Sequence, residues 1–126
     1  YKPGQYVQVK IPGSGSDYRA YSMASTPDRT DAIELNVKLI PDGLGSTYLH
    51  GLAVGDPVSF SGPYGEFYLR QDSARTIVCV AGGVGLAPLK SIVSFWASQG
   101  KAACVMIPGA SISVRMLPSE TASVMQ

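Results

Sequence analysis

The hydrophobic pattern of this chain changes period near Arg75, and that change restricts the fold more than any other feature. Before it, apolar and polar residues alternate in short runs. Residues 6–11 set Val7, Val9 and Ile11 against Gln8 and Lys10, and residues 33–39 place Ile33, Leu35, Val37 and Leu39 on one face. A period of two belongs to a half-buried antiparallel strand, so both segments are predicted strands. Residues 18–22, 58–61 and 67–69 read as further short strands. Turn signals separate them: Pro12-Gly13-Ser14-Gly15-Ser16, Ser25-Thr26-Pro27-Asp28, Pro41-Asp42-Gly43-Leu44-Gly45, Gly55-Asp56-Pro57 and Gly62-Pro63-Tyr64-Gly65. Ser46 can cap a short helix over 47–53. Many short strands punctuated by Gly and Pro argue for a small antiparallel barrel.

After Arg75 the pattern is different. Thr76-Ile77-Val78-Cys79-Val80-Ala81 is a continuous apolar run, as in a strand buried on both faces of a parallel sheet. Residues 86–99 follow as a helix with Leu86, Leu89, Ile92, Val93 and Trp96 on its inward stripe, and Gly100 stands at its C-terminal cap. Residues 102–107 form the next apolar strand. Strand, helix and strand within about 30 residues make one crossover unit of an open α/β sheet. After Gly109 no period is legible, and a lone crossover unit cannot complete a sheet. The expected organisation is a barrel over 1–74 and the first part of an α/β unit over 75–126, truncated and with an atypical tail from 111.

Composition excludes several functions. With 45% hydrophobic and 15% charged residues the chain can bury a core, so it is a globular sequence and not a disordered one. Ten Lys and Arg against nine Asp and Glu, scattered along the sequence, leave no electrostatic footprint for nucleic acid or an anionic membrane. No apolar stretch reaches the roughly 18 residues that cross a bilayer, and no basic-then-apolar signal segment is present. Two cysteines, Cys79 and Cys104, read as small core residues of neighbouring strands. With the single His50 they cannot supply the roughly four ligands of a zinc or iron–sulfur site, so no metal is expected. A reduced, cytoplasmic setting is the expectation.

The residues able to carry chemistry fall into four clusters. Arg19-Ala20-Tyr21-Ser22, on a predicted strand, offers a guanidinium, an aromatic face and a hydroxyl. A guanidinium can clamp a phosphate, a tyrosine can stack on a flat heterocycle, and a hydroxyl can reach a ring nitrogen. Taken alone, Arg and Tyr on a barrel strand more often form a surface pair over the core. Gly43-Leu44-Gly45-Ser46 opens a short helix, where backbone amides and the helix dipole favour a phosphate, or is an ordinary capped turn. Gly62-Pro63-Tyr64-Gly65-Glu66-Phe67 reads equally as a hairpin turn. Gly82-Gly83-Val84-Gly85-Leu86-Ala87-Pro88 follows a buried strand and opens a helix; glycine lets the backbone approach a pyrophosphate, and Pro88 fits the first helical turn. Pro88 occupies the last place of GxGxxG, a departure from the usual dinucleotide fingerprint. His50 reads as a solvated or capping residue. Asp28, Glu34 and Glu66 are too separated to form a catalytic carboxylate pair.

In this order and spacing, over residues 1–107, the four clusters resemble the ferredoxin-NADP reductase superfamily, and most closely the reductase components of bacterial multicomponent oxygenases of the phenol hydroxylase and methane monooxygenase type. The resemblance implies a β + α/β fold: a small antiparallel Greek-key flavin-binding barrel, its first strand missing here, followed by a truncated Rossmann-like nucleotide-binding domain. It implies FAD in preference to FMN, with NADH or NADPH as co-substrate. Arg19 would pair with the flavin pyrophosphate, Tyr21 would stack on the isoalloxazine, and Ser22 would hydrogen-bond near its N5, which makes Tyr21 and Ser22 the expected catalytic pair. Gly45 and Ser46 would hold phosphates, with Ala20, Val37, Lys38, Gly43 and Thr47 also among the cofactor-binding positions. Gly83, Gly85 and Pro88 would receive the nicotinamide nucleotide. The implied reaction passes a hydride from NAD(P)H to FAD and then single electrons to an iron–sulfur ferredoxin domain or protein serving an oxygenase. The competing reading is a flavin- or nucleotide-binding module without turnover, because the nucleotide unit is incomplete.

Overall fold

The computed structural model describes residues 1–13, 17–106 and 113–116. Three antiparallel strands form the first unit: β1 (Tyr6–Lys10), β2 (Tyr18–Ser22) and β3 (Phe60–Tyr64), in the order β2-β1-β3. The alternation of β1 decides this layout. Val7 and Val9, 3% and 1% exposed, point into a core shared with Ile11 and Met23, while the intervening Gln8 does not join it. The helix α1 (Leu44–His50) lies between β2 and β3 in sequence and packs Tyr48 and Leu49 against that core.

The second unit has a different core. Strand β4 (Ile77–Val80) and β5 (Ala103–Met106) are parallel, with Ile77 opposite Ala103 and Val80 opposite Met106. A 3-10 turn, Gly83–Gly85, leads into α2 (Leu86–Ser98). Helix α2 buries Leu89, Ile92, Val93 and Trp96 against Cys79, Ala81, Ala103 and Val105, as its stripe predicted. Gly100, at φ +69°, takes the left-handed turn beyond the helix, and its amide bonds to the Ala97 carbonyl at 2.9 Å. The β + α/β class is therefore as expected.

Several local expectations fail, each for a traceable reason. Residues 33–39 form no ladder; the segment pairs through a single bridge, Met23 to Leu35, because among the described residues no strand runs along its other side. Its alternation is correspondingly incomplete, with Ile33 and Leu39 exposed. The predicted break at Gly62-Pro63-Tyr64 lies inside β3. As an edge strand paired only to β1, β3 tolerates a proline without a donor. Residues 67–69 follow as irregular backbone, tied by the Leu69 amide to the Pro3 carbonyl at 3.0 Å. The run at β4 is buried on one face only: Val78 and Val80 are 64% and 61% exposed, because α2 covers the other side alone. Cys104 stands opposite Val78 on that open face, so it is exposed and not a core residue; Cys79, opposite Val105, is buried. Burial pushes the Cys79 thiol up, with Cys104 adding to the effect.

Helix α1 starts three residues before the predicted helix and is capped by Gly43. Ser46 sits within it, and its hydroxyl bridges Ile40 and Gly43. A strand with no sequence signal, β6 (Ser113–Met116), adds antiparallel to β5. Residues 14–16 of the first turn, Ile107 at the end of the last predicted strand, Gly109 and the tail at 117–126 lie outside the described residues.

Gly4 joins the two units and cannot be replaced cheaply. Its φ is +106°, and a Cβ there would lie 2.6 Å from the Phe67 carbonyl oxygen and 3.0 Å from Ile92 Cδ1. Gly4→Ala is expected to destabilise the chain by about 1–3 kcal/mol, read as a lower urea midpoint at unchanged slope.

Candidate functional site

Antiparallel pairing with β1 fixes β2 at the edge of its sheet, with Gln8 opposite Ala20, Val7 opposite Tyr21 and Tyr6 opposite Ser22. Beside that edge a cleft of about 380 Å³ opens, within the size range of ligand sites. All four residues of the first cluster, Arg19, Ala20, Tyr21 and Ser22, line it. Val37 and Lys38 line it from the loop that follows the Met23–Leu35 bridge, and Gly43, Gly45 and Ser46 from the start of α1. Thr47, Gly83, Gly85 and Pro88 do not reach the cleft. Val84 of the glycine turn and Ala87 of the first turn of α2 do.

The side chains are arranged for an anionic, aromatic ligand. The Arg19 guanidinium donates to the Tyr18 carbonyl at 2.9 Å and lies 3.8 Å from Asp17, with 45% of its side chain exposed. So open an ion pair contributes little, and the planar donor fork keeps capacity for a phosphate. Tyr21 packs beside it; burial raises the phenol's pKa, an effect the Arg19 charge partly offsets, so the hydroxyl stays protonated through the neutral range. Gly45 makes the fit possible. A Cβ at Gly45 would fall 2.5 Å from the Tyr21 hydroxyl and 2.9 Å from Arg19 Cγ, so a side chain there would push that pair away from the first turn of α1. The Ser46 hydroxyl is already engaged with Ile40 and Gly43, which leaves its backbone amide, in the first helical turn, as the group for a ligand.

Sequence reasoning missed Asn36, Ile40, Leu44, Val84 and Ala87, which complete the walls. Asn36 adjoins Val37 and could have been found from that neighbour; Val84 lies between Gly83 and Gly85, and Ala87 directly precedes Pro88. His50 has a positional part: its Nε2 is 3.0 Å from the Val37 carbonyl, tying the end of α1 to the wall at Val37 and Lys38. Among the described residues no group of three or more His, Cys, Asp or Glu could hold a metal ion, and no helix is long and apolar enough to cross a membrane.

A sheet edge bearing a cation and a tyrosine, facing a short helix and a glycine turn, is the arrangement of a flavin-type nucleotide site. The chain belongs to the oxidoreductase FAD-binding domain family, which matches residues 1–68. Over 94 residues it is 42% identical to the reductase component of propane 2-monooxygenase from Mycolicibacterium smegmatis, an alignment covering 74% of this chain and 27% of that protein. It is 40% identical, also over 94 residues, to the reductase component DmpP of phenol 2-monooxygenase from a Pseudomonas species, covering 74% of this chain and 26% of that one. Among solved structures it is similar to the cytochrome P450 reductase GcoB of Amycolatopsis, with a TM-score of 0.75 and 34% identity over 85% of this chain and 34% of that one. The chain thus spans 27% and 26% of the length of these two curated relatives.

The cleft fits the family's cofactor: it has a cation for a pyrophosphate, a ring for a flat heterocycle, and a helix start that glycine holds close. Gly45→Ala is expected to lower FAD retention at least about tenfold, a loss of roughly 1.4 kcal/mol, while the fold persists. Flavin absorbance and circular dichroism of the purified variant measure the two effects.

Proposed function

We propose that residues 1–74 bind FAD and that residues 75–126 begin the nucleotide unit of an NAD(P)H-dependent reductase component serving a multicomponent oxygenase of the phenol hydroxylase type. One observation carries this reading. The Arg19-Ala20-Tyr21-Ser22 edge and the glycine turn, at Val84 and Ala87, line one cleft, so a ligand on each would meet there. The names of the two relatives, both oxygenase reductase components, support the same function.

Bound FAD supplies hydride acceptance from NADH or NADPH and release of single electrons. The chain's residues bind and orient. Arg19 would pair with the pyrophosphate through its remaining donors, and Tyr21 would lie against the isoalloxazine with its hydroxyl protonated. Ser22, half-buried at the end of β2, would offer its hydroxyl to the flavin N5. The backbone of Gly45 and Ser46 receives phosphate oxygens. Gly83, Gly85 and Pro88 shape the turn that presents the nicotinamide nucleotide, while Val84 and Ala87 close the cleft beside it. An iron–sulfur ferredoxin domain or protein would be the acceptor of the electrons. A cytoplasmic setting belongs to the same reading.

The purified chain mixed with FAD is expected to retain the visible flavin band and to lose it when NADH or NADPH is added without oxygen. Tyr21→Ala should weaken retention by about 1 kcal/mol, near fivefold in Kd. Protein that stays colourless with added FAD would sink the flavin assignment. Coloured protein that neither nucleotide bleaches would instead identify a binding module without turnover.

A further inference from the structure

Three consecutive residues in the middle of α2 hold the helix against the first unit. Lys90 Nζ contacts Glu34 Oε1, Ser91 Oγ donates to the Ser25 carbonyl at 2.6 Å, and Ile92 approaches the backbone at Gly4. The Lys90–Glu34 pair is exposed, with 45% and 36% of the two side chains open to solvent, and exposed pairs contribute little. Ser91 differs. Its exposure is 0%, and its hydroxyl reaches out of its own helix to a partner 66 residues away. A serine in a helix interior more often bonds back to its own backbone.

Ser25 is itself held from two sides. Its hydroxyl lies 3.0 Å from the Tyr1 hydroxyl and accepts the Glu34 amide at 3.1 Å, and the Ala24 amide bonds to the Glu34 carbonyl at 2.8 Å. The anchor for Ser91 is thus a fixed carbonyl, three residues beyond Ser22. On the helix side, Ser91 lies four residues after Ala87 and so on the same face, one turn further from the cleft. A buried hydrogen bond therefore ties the helix that carries one wall of the cleft to the segment that follows the other.

We propose that Ser91 is a positioning residue. Its bond to the Ser25 carbonyl sets the spacing between the Val84–Ala87 wall and the Tyr21–Ser22 wall, and with it the distance at which a nicotinamide nucleotide on the glycine turn meets the flavin. The second half of this statement rests on the function proposed above; the first half concerns the chain alone.

Amide hydrogen exchange on the flavin-free chain tests the first half, comparing wild type with Ser91→Ala and Ser91→Cys. Alanine removes the donor and leaves the Ser25 carbonyl without it. Cysteine is nearly the same size and is only a weak donor, so it carries the measurement if the alanine variant does not fold. Residues 83–89 are expected to exchange about tenfold faster in Ser91→Ala and by less in Ser91→Cys, with residues 6–10 unchanged. Unchanged exchange at 83–89 overturns the proposal, and so does an equal rise across the whole chain, which would make Ser91 a residue of general stability only. With FAD loaded, Ser91→Ala should keep its flavin within about twofold of wild type yet be bleached about tenfold more slowly at saturating NADH. Bleaching at the wild-type rate overturns the link to hydride transfer. Wild-type protein that binds FAD but is never bleached refutes the functional reading instead, and the exchange data still decide whether Ser91 holds the two walls together.

Discussion

Val9 is 1% exposed on the central strand of its sheet, with an antiparallel neighbour on each side, and the placement of the site depends on that burial. Removing the Val7 and Val9 side chains from water is worth roughly 1.5–3 kcal/mol each, which fixes which face of β1 turns inward. Once that face is fixed, the register with β2 follows, because a slip of one residue would turn every side chain of β2 over. Arg19 and Tyr21 then stand opposite Val9 and Val7, at the open edge of the sheet. The cation and ring beside the cleft are held there by apolar burial on the neighbouring strand.

The second unit meets the first through its helix. Trp96, 3% exposed, anchors the far end of α2 in its own core and donates its indole N–H to the Ala102 carbonyl at 3.0 Å. The middle of α2 is fastened to the first unit at Ser25, and its beginning forms one side of the cleft. One helix therefore serves as core element, inter-unit tie and site wall. Its glycine turn needs no buried side chain, and none of its three residues is buried.

Much of this was legible in the sequence because the signals are local. The alternation in β1, the stripe on α2 and Gly100 after it each depend on residues a few positions apart, and the first cluster lies on one strand. The failures have a common cause. Residues 33–39 alternate as cleanly as β1 but form no ladder, because a strand also needs a neighbour, and alternation does not supply one. Val78, Val80 and Cys104 are apolar enough for a two-sided core yet face outward, because coverage of the second face depends on elements that β4 does not encode. Ser46 was a reasonable cap by type, but the backbone turned one residue after Asp42, and Gly43 took that position.

The sequence by itself determined the β + α/β class, the helix stripe and the family, since periodicity and motif order are properties of the linear chain. Only the tertiary structure decided which residues share a cleft. It joined β2 to Val84 and Ala87 in place of the neighbouring glycines, brought Gly45 within contact of Tyr21 and Arg19, and paired Ser91 with a carbonyl 66 positions away. The physical reason is that close approach depends on where packing brings distant segments to rest, and at Gly45 and Ser91 that distance is set by the absence of one Cβ and the presence of one hydroxyl.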